Sequence, residues 1–378
     1  MDLVAPSLKI NSYRFAHRRF SLIDGKKKAG GGSEVVTGKD SIFILIESKE
    51  GEFGIGEASF VTVPGRVEPN IEKELNDLSK IELNQLIRHE FNSPCLSPRV
   101  RYALSIAYLD LVAKTQKQPL WKLINDLINQ DGLTVEPCES LRVKAVIFED
   151  ERHRLQELSR IYNVFKIKIS PETFDEALEL ISSYPTLGFC FDGNYSFQDY
   201  EGHVLELEKA CLRLGVKIEY LEQPLKPRSL SGEAKNKMLK LSSSLTHLRL
   251  GLDQDIRTLE DCEYWSDATS LVWVIKVSAF GSIMEVVKAV KLAKQAGIDF
   301  AIGGMFETVI GKTLLCHVAK ATNPLFTSEI SLPNRYFEES WLANDVNFLI
   351  PKSGTIFLPD NPGLGISPSP EFLRVFGV

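Results

Sequence analysis

The sequence lacks several features that would place it outside the ordinary globular proteins. Its six cysteines are scattered without a C-x-x-C pair, which indicates reduced and mostly buried thiols in a cytoplasmic protein. No apolar stretch approaches the roughly 20 residues of a membrane helix. The first residues show no basic segment followed by a long apolar run, so we expect no signal peptide. The net charge of −6 argues against a nucleic-acid-binding surface.

What is present is typical of a globular protein of two domains. The chain has 378 residues, of which 44% are hydrophobic and 25% are charged. The pattern of strand-like and helix-like segments changes near residue 141. We therefore expect an α+β domain over residues 1–140, completed by about 350–378, and a second domain over 141–349.

The first part of the chain predicts a small α+β unit. Residues 41–48 and 51–60 are strand-like, and residues 99–125 carry apolar side chains at the spacing of two helices. Residues 18–40 are rich in lysine and glycine, which predicts a flexible loop. We expect lysines 26–28 to be solvated rather than to bind a substrate carboxylate.

From residue 141 onward, strand-like and helix-like segments alternate. Such alternation predicts parallel strands joined by crossover helices, and at least seven units favour a (β/α) barrel over an open sheet. The predicted strands are 141–148, 164–170, 187–194, 217–224, 248–255, 272–278 and 298–304.

Charged residues recur at the ends of these strands. In the segment VFKIKIS, two lysines stand two residues apart, so they share one face of a strand. Later strands end with single ionisable residues, at intervals of about one strand–helix unit. In a (β/α) barrel these strand ends form the active site. The residues are Lys166, Lys168, Asp192, Glu222, Asp253 and Lys276.

The residue types at these strand ends predict a particular chemistry. Three carboxylates on successive strands form an oxygen site for a hard dication such as Mg²⁺. Lysines close to a metal and to another cation can have a lowered pKa and act as bases. This arrangement suits removal of the proton α to a carboxylate, with the metal stabilising the enediolate. The predicted partner is a small-molecule carboxylate.

At these residues the sequence resembles the enolase superfamily, in particular its muconate-lactonising subgroup, over nearly the whole chain. The resembling motifs are GIGEA (54–58), KIK (166–168), DGN (192–194), LEQP (221–224), LDQDI (252–256), IKVS (275–278) and NPGLGI (361–366). The resemblance implies a (β/α)7β-like barrel with an α+β capping domain. The chain departs from the subgroup pattern at Gln254 and Asp255, which stand where Glu and Ser are usual.

The same resemblance implies roles for individual residues. Asp192, Glu222 and Asp253 would bind Mg²⁺. Lys168 would be the base on one face of the substrate, tuned by the like charge of Lys166, and Lys276 would stand on the other face. A homo-oligomer is also implied as a possible state. The remaining implied residues contact the substrate: Asn194, Gly304, Met305 and Glu307.

The last barrel segments resemble one branch of the subgroup. IGGMFETVIGK (302–312) and FTSEISLPNRYFEES (326–340) are similar to o-succinylbenzoate synthases and N-succinylamino acid racemases. A dipeptide substrate is disfavoured, because the D-x-D of dipeptide epimerases is replaced by TSEIS with the single Glu329. The resemblance favours the synthase, a dehydrating lyase of menaquinone formation.

Other functions stay open on the sequence alone. Racemisation of N-succinylamino acids, or epimerisation of other N-acyl amino acids or dipeptides, would use the same lysines. Lys276 on a late strand is also compatible with a Schiff-base aldolase, which would not need three carboxylates in series. A non-catalytic binding protein is disfavoured by the intact lysines and carboxylates.

Overall fold

The structure is a computed structural model that describes residues 8–25, 27–28, 35–62, 70–197, 200–225 and 232–378. It begins with an antiparallel sheet in the order β1-β4-β5, beside a short hairpin of β2 and β3. Four helices follow this sheet. The elements are β1 (Ile10–Ser21), β2 (Lys27–Lys28), β3 (Val35–Val36), β4 (Gly38–Ser48), β5 (Phe53–Thr62), α1 (Ile71–Leu78), α2 (Leu83–Arg88), α3 (Pro98–Thr115) and α4 (Leu120–Ile128).

Helix α3 lies directly on β5 because two glycines of the GIGEA motif leave room for it. A Cβ atom on Gly54 or Gly56 would lie 1.9 Å from a carbonyl oxygen of α3. Asp110 of α3 accepts hydrogen bonds from the backbone N–H groups of Ile55 and Leu364. The GIGEA and NPGLGI motifs are therefore joined through one buried carboxylate.

The second part of the chain forms a nearly closed barrel of eight parallel strands, which confirms the predicted fold. The sheet order is β12-β11-β10-β9-β8-β7-β6-β13, and β12 lies beside β13. The strands are β6 (Leu141–Ile147), β7 (Val164–Lys168), β8 (Gly188–Asp192), β9 (Lys217–Glu222), β10 (Leu250–Leu252), β11 (Val272–Lys276), β12 (Phe300–Gly303) and β13 (Ser328–Glu329).

Helices connect the successive barrel strands. Three of them, α5, α8 and α9, were not predicted, and α5 has only four residues. Helix α8 has a serine-rich and lysine-rich sequence with a weak apolar stripe, and α9 has only seven residues. The helices are α5 (Leu155–Leu158), α6 (Phe174–Ser183), α7 (Tyr200–Leu214), α8 (Glu233–Ser244), α9 (Leu259–Trp265), α10 (Ile283–Ala296) and α11 (Val309–Thr322).

The C-terminal segment returns to the first sheet. Phe372 packs edge-on against Phe43 at 5.2 Å, and Trp341 stacks on Phe20 at 6.2 Å. These contacts join the C-terminal residues to the first sheet, and the predicted domain bounds stay predictions. The elements are β14 (Ala343–Asn344), β15 (Thr355–Ile356), β16 (Ser367–Pro368) and α12 (Pro370–Arg374).

The lysine-rich segment differs from the predicted loop, because β1 and β4 extend into it and β2 and β3 lie within it. It also differs from its prediction at Lys27. This side chain is buried, with Nζ 3.1 Å from Glu151 and 2.7 Å from Asp24. The expectation of a solvated lysine is therefore wrong at Lys27, because Glu151 follows the first barrel strand and offers a buried charge partner. Lys26 lies outside the described residues, as does the side chain of Lys28.

Four of the six cysteines are buried, and all six are free thiols. Over the ranges that the structure describes, no helix combines the length and apolar character needed to cross a membrane.

Candidate active site

Strand β7 directs both of its lysines into the barrel. Phe165 and Ile167 are fully buried on the opposite face. Because strand side chains alternate, Lys166 and Lys168 project together toward the barrel interior. Lys168 is paired in register with Asp192 on β8, which brings a cation and a carboxylate side by side.

Lys168 is held by two oxygen acceptors at the end of β8. Its Nζ donates to Asp192 Oδ2 at 2.5 Å and to Asn194 Oδ1 at 2.7 Å. The backbone N–H of Asn194 donates in turn to Asp192 Oδ1. The DGN segment thus fixes the position of the Lys168 ammonium group.

Lys166 lies among three carboxylates. Its Nζ is 2.5 Å from Glu329 Oε1, and 3.2 Å from both Glu222 Oε2 and Asp192 Oδ2. Asp192 and Glu222 are register partners on β8 and β9. Lys166 therefore compensates negative charge supplied by three different strands.

Lys276 enters the same region from β11. Its Nζ donates to Glu329 Oε2 at 2.8 Å and to the Gly304 carbonyl at 3.3 Å. Glu329 thus joins Lys166 to Lys276 through its two carboxylate oxygens. In the strand order, β7 and β11 are four places apart in an eight-stranded barrel, so Lys168 and Lys276 approach from opposite sides.

Burial and charge determine the protonation of this cluster. Burial, with the neighbouring charge of Asp192, raises the pKa of Glu222 to about 8. Burial opposes ionisation of Glu329, but Lys166 and Lys276 hold its pKa well below the ordinary value. The carboxylates outweigh burial at the two lysines and raise the pKa of each. The expected lowering of a lysine pKa by a nearby metal ion stays a prediction.

Asp253 forms an ion pair with Arg257, and its charge also helps to raise the pKa of Lys276. Its Oδ1 is buried and lies 2.7 Å from Arg257 Nη2, without the geometry of a hydrogen bond. Gln223 fixes the backbone here, because its side-chain oxygen accepts from the N–H groups of Asp253 and Gln254. Its amide donates to Asp255, the residue that departs from the family pattern. Asp255 therefore supports the strand end that carries Asp253.

The carboxylates of Asp192, Glu222 and Asp253 suit Mg²⁺ in donor type. All three are buried oxygen donors on adjacent strands, and Mg²⁺ prefers such ligands. Asp253 Oδ1 is buried without a hydrogen bond, and the pKa of Glu222 is raised. A bound dication would compensate the buried negative charge at both carboxylates. Within the described part of the chain, no three His, Cys, Asp or Glu side chains converge as a metal site. The ligand assignment therefore stays a prediction.

A cavity of about 110 Å³ opens at this end of the barrel. It places all three site lysines together with two of the predicted substrate contacts, Gly304 and Glu307. The lining residues are Lys144, Val146, Phe148, Lys166, Lys168, Lys276, Gly304, Phe306, Glu307, Lys312, Glu329, Ser331 and Tyr336.

The other two predicted substrate contacts lie beside the cavity lining. Asn194 holds Lys168, as described above. Met305 Sδ lies 3.7 Å from Ser278 Oγ and 3.8 Å from Arg257 Nη1. Glu307 accepts from the backbone N–H of Met305 at 2.6 Å. The roles of these residues toward a substrate stay predictions.

Sequence reasoning missed three charged residues that line the cavity, which are Glu329, Lys144 and Lys312. Glu329 ends the eighth strand, which has only two residues and no recognisable strand pattern. Lys144 stands in the otherwise apolar segment VKAVIF, the same signal that drew attention to VFKIKIS. Its Nζ donates to the hydroxyl of Tyr220 at 2.6 Å and lies 3.6 Å from Glu219.

Comparison with known proteins defines the class to which this fold and site belong. The family model "Enolase C-terminal domain-like" matches residues 150–372. The chain is 24% identical to N-succinylamino acid racemase of Thermus thermophilus over 342 residues, 87% of each chain. It is 25% identical to o-succinylbenzoate synthase of Listeria innocua over 358 residues, 89% of each chain.

Solved structures show the same fold. Muconate lactonizing enzyme of Pseudomonas fluorescens, complexed with muconolactone, aligns with a TM-score of 0.77 at 18% identity. The alignment covers 98% of this chain and 99% of that one. Dipeptide epimerase of Enterococcus faecalis, complexed with Mg and L-Leu-L-Tyr, aligns with a TM-score of 0.73 at 19% identity, covering 95% and 99%. The chain belongs to the enolase C-terminal domain-like family, and the predicted superfamily is confirmed.

Proposed function

We propose that this protein is a Mg²⁺-dependent enzyme that removes the proton α to a carboxylate. Its proposed reaction is the dehydration that forms o-succinylbenzoate. The observation that carries the proposal is the placement of Lys168 and Lys276 on opposite sides of the barrel, both lining one cavity. Two cationic side chains on either side of a bound carboxylate can act on the two faces of its α-carbon.

Lys168 and Lys276 have different roles in the proposed dehydration. Lys168 removes the α-proton and then returns it to the departing β-hydroxyl group, which leaves as water. Lys276, held by Glu329 and Gly304, remains a hydrogen-bond donor and stabilises negative charge. Mg²⁺ held by Asp192, Glu222 and Asp253 would supply positive charge to the substrate carboxylate.

Racemisation of N-succinylamino acids is the second candidate function. The same opposed lysines serve it, since a racemase delivers a proton to either face of one carbon. Curated relatives of both activities match this chain at nearly equal identity. Dipeptide epimerisation is less favoured, because both oxygens of Glu329 are bound by lysines and are not available for an α-ammonium group.

Product analysis separates these candidates. Purified protein with Mg²⁺ is given the succinyl-hydroxy-cyclohexadiene carboxylate and, separately, single enantiomers of N-succinyl amino acids in D₂O. Loss of the diene absorbance supports the synthase. Deuterium at the α-carbon with formation of the opposite enantiomer supports the racemase. Activity toward neither class would contradict the proposed reaction.

A Schiff-base aldolase is tested with the same protein. Borohydride would trap a carbonyl substrate on Lys276 and add its mass to that residue. We expect no adduct, because the Lys276 ammonium group is held in an ion pair with Glu329. We also expect EDTA to abolish activity, which a Schiff-base mechanism would not require.

A further inference from the structure

Lys144 is a buried lysine of the first barrel strand, and the proposed reaction assigns no role to it. Its side chain is fully buried, yet it is one of the residues that line the cavity of the site. A buried ammonium group is costly unless it is paired, because burial removes its hydration. Its partners therefore determine what this charge can do.

Two adjacent residues of β9, the fourth barrel strand, hold the Lys144 ammonium group. Its Nζ donates to the Tyr220 hydroxyl at 2.6 Å and lies 3.6 Å from Glu219 Oε2. Glu219 accepts in turn from the Thr327 hydroxyl at 2.6 Å and from the Thr327 N–H at 3.3 Å. Thr327 stands directly before β13, a strand of only two residues. The network therefore connects β6 and β9 to the start of β13.

Lys144 also lies beside Glu329, the last residue of β13. The two residues are register partners on the parallel strands β6 and β13, and both line the cavity. Neighbouring strands are about 4.8 Å apart, so register partners on one face lie close together. Burial opposes ionisation of Glu329, and Lys144 joins Lys166 and Lys276 in lowering its pKa. Glu329 therefore binds two lysines and has the charge of a third beside it.

We propose that Lys144 is a positioning residue, which acts on the reaction by holding the Glu329 carboxylate between Lys166 and Lys276. The proposal rests on the proposed function, in which Lys276 stabilises negative charge on the substrate. Glu329 and the Gly304 carbonyl together hold the Lys276 ammonium group. Without Lys144, Glu329 loses a neighbouring cation and β13 loses part of the network that fixes it. Lys276 would then be placed less accurately, which lowers the rate of the chemical step.

Steady-state kinetics with Mg²⁺, on the substrate that the wild type turns over, tests this role. Lys144→Met should lower kcat about tenfold and change KM less than about threefold, because a displaced Lys276 affects the transition state more than substrate binding. Lys144→Arg keeps the charge and should lose less of kcat than Lys144→Met. Arg142→Met, at an exposed position of the same strand, is the matched control and should retain wild-type kinetics.

A double-mutant cycle separates action through Glu329 from an independent structural effect. Lys144→Met, Glu329→Gln and their combination are compared in the same assay. If Lys144 acts through Glu329, kcat of the combined variant should lie within about threefold of kcat for Glu329→Gln alone. If Lys144 is only structural, the two losses should multiply. Where Lys144→Met does not fold, Lys144→Met with Glu219→Gln takes its place, since it removes both buried charges together.

Two kinetic results would overturn the inference: losses that multiply in the combined variant, and wild-type kcat in Lys144→Met. The proposed function fails separately, when the wild type turns over neither proposed substrate. The urea midpoints of the same variants then test the link between Lys144 and Glu329 without turnover. Coupling predicts that the two midpoint shifts do not add in the combined variant, whereas additive shifts contradict the link.

Discussion

The carboxylate of Glu329 and the ammonium group of Lys276 lie 2.8 Å apart across the mouth of the barrel. The other oxygen of the same carboxylate binds Lys166. Since a buried ion pair with hydrogen bonds fixes both partners, Glu329 positions two of the three site lysines. It joins the eighth strand to the second and sixth strands of the barrel.

Glu329→Gln should therefore impair the reaction more than substrate binding. We expect kcat to fall about tenfold to a hundredfold, the range for losing a charged hydrogen bond, with a smaller change in KM. Steady-state kinetics on the substrate that the wild type turns over provides the measurement. Glu338→Gln, which changes an exposed glutamate of the same segment, is the control. Equal kinetics for Glu329→Gln and Glu338→Gln would contradict the positioning role.

Metal binding should depend on the three carboxylates at the strand ends. We expect wild-type protein to bind Mg²⁺ in calorimetry, and Asp192→Asn, Glu222→Gln and Asp253→Asn each to weaken binding at least about tenfold. Each change removes one anionic ligand from the site. Glu260→Gln, at an exposed position, should bind as the wild type does. Unchanged affinity in all three variants would place the metal elsewhere.

His317 should make folding stability depend on pH. Burial lowers its pKa to about 4, and the ring accepts from the Trp121 N–H while Nε2 donates to Leu364 O. The neutral ring is therefore the folded form. Its contribution is fully present above about pH 6.5 and is lost as pH falls from 6.5 toward 4, by on the order of 3 kcal/mol.

Urea unfolding of wild type and His317→Gln at several pH values measures this contribution. The variant should be less stable at pH 7 but should lose less stability between pH 6.5 and pH 4. His247→Gln, at an exposed histidine, should follow the wild-type curve. Parallel curves for wild type and His317→Gln would contradict the account.

Glu57 should contribute strongly to stability because it joins the first sheet to helix α11. It accepts from Lys39 at 2.6 Å, from Ser41 at 3.0 Å, and from the Thr308 hydroxyl at 2.7 Å. Glu57→Gln leaves Lys39 buried without its carboxylate, so we expect a loss of about 3 kcal/mol or more in urea unfolding. Glu52→Gln, at an exposed position before the same strand, should cost less than about 0.5 kcal/mol.

The barrel and much of its site were predictable from local rules. Strand–helix alternation gave the fold, and the strand-end rule brought together Lys166, Lys168 and Lys276 in one cavity. The same rule did not identify Glu329, because its strand has only two residues and carries no recognisable strand pattern. The burial of Lys27 was not predicted, because its partner Glu151 is distant in sequence and composition cannot show a buried ion pair.

Side-chain direction at the strand ends was also beyond sequence reasoning. Asp253 stays a predicted metal ligand beside Asp192 and Glu222, and its ion pair with Arg257, four residues later, was not foreseen. The cavity lining combines residues from several distant segments, so no local pattern marks it. Such groupings depend on tertiary packing, which periodicity does not encode.

Turnover of the succinyl-hydroxy-cyclohexadiene carboxylate by wild type, Lys168→Ala and Lys168→Arg tests the central claim most directly. Each protein is assayed with Mg²⁺ and with EDTA. The account predicts rapid loss of substrate absorbance only for the wild type with Mg²⁺, with kcat reduced at least about a thousandfold in both variants. Undiminished turnover by Lys168→Ala, or equal wild-type rates in EDTA, would contradict the claim that Lys168 removes the α-proton in a metal-dependent reaction.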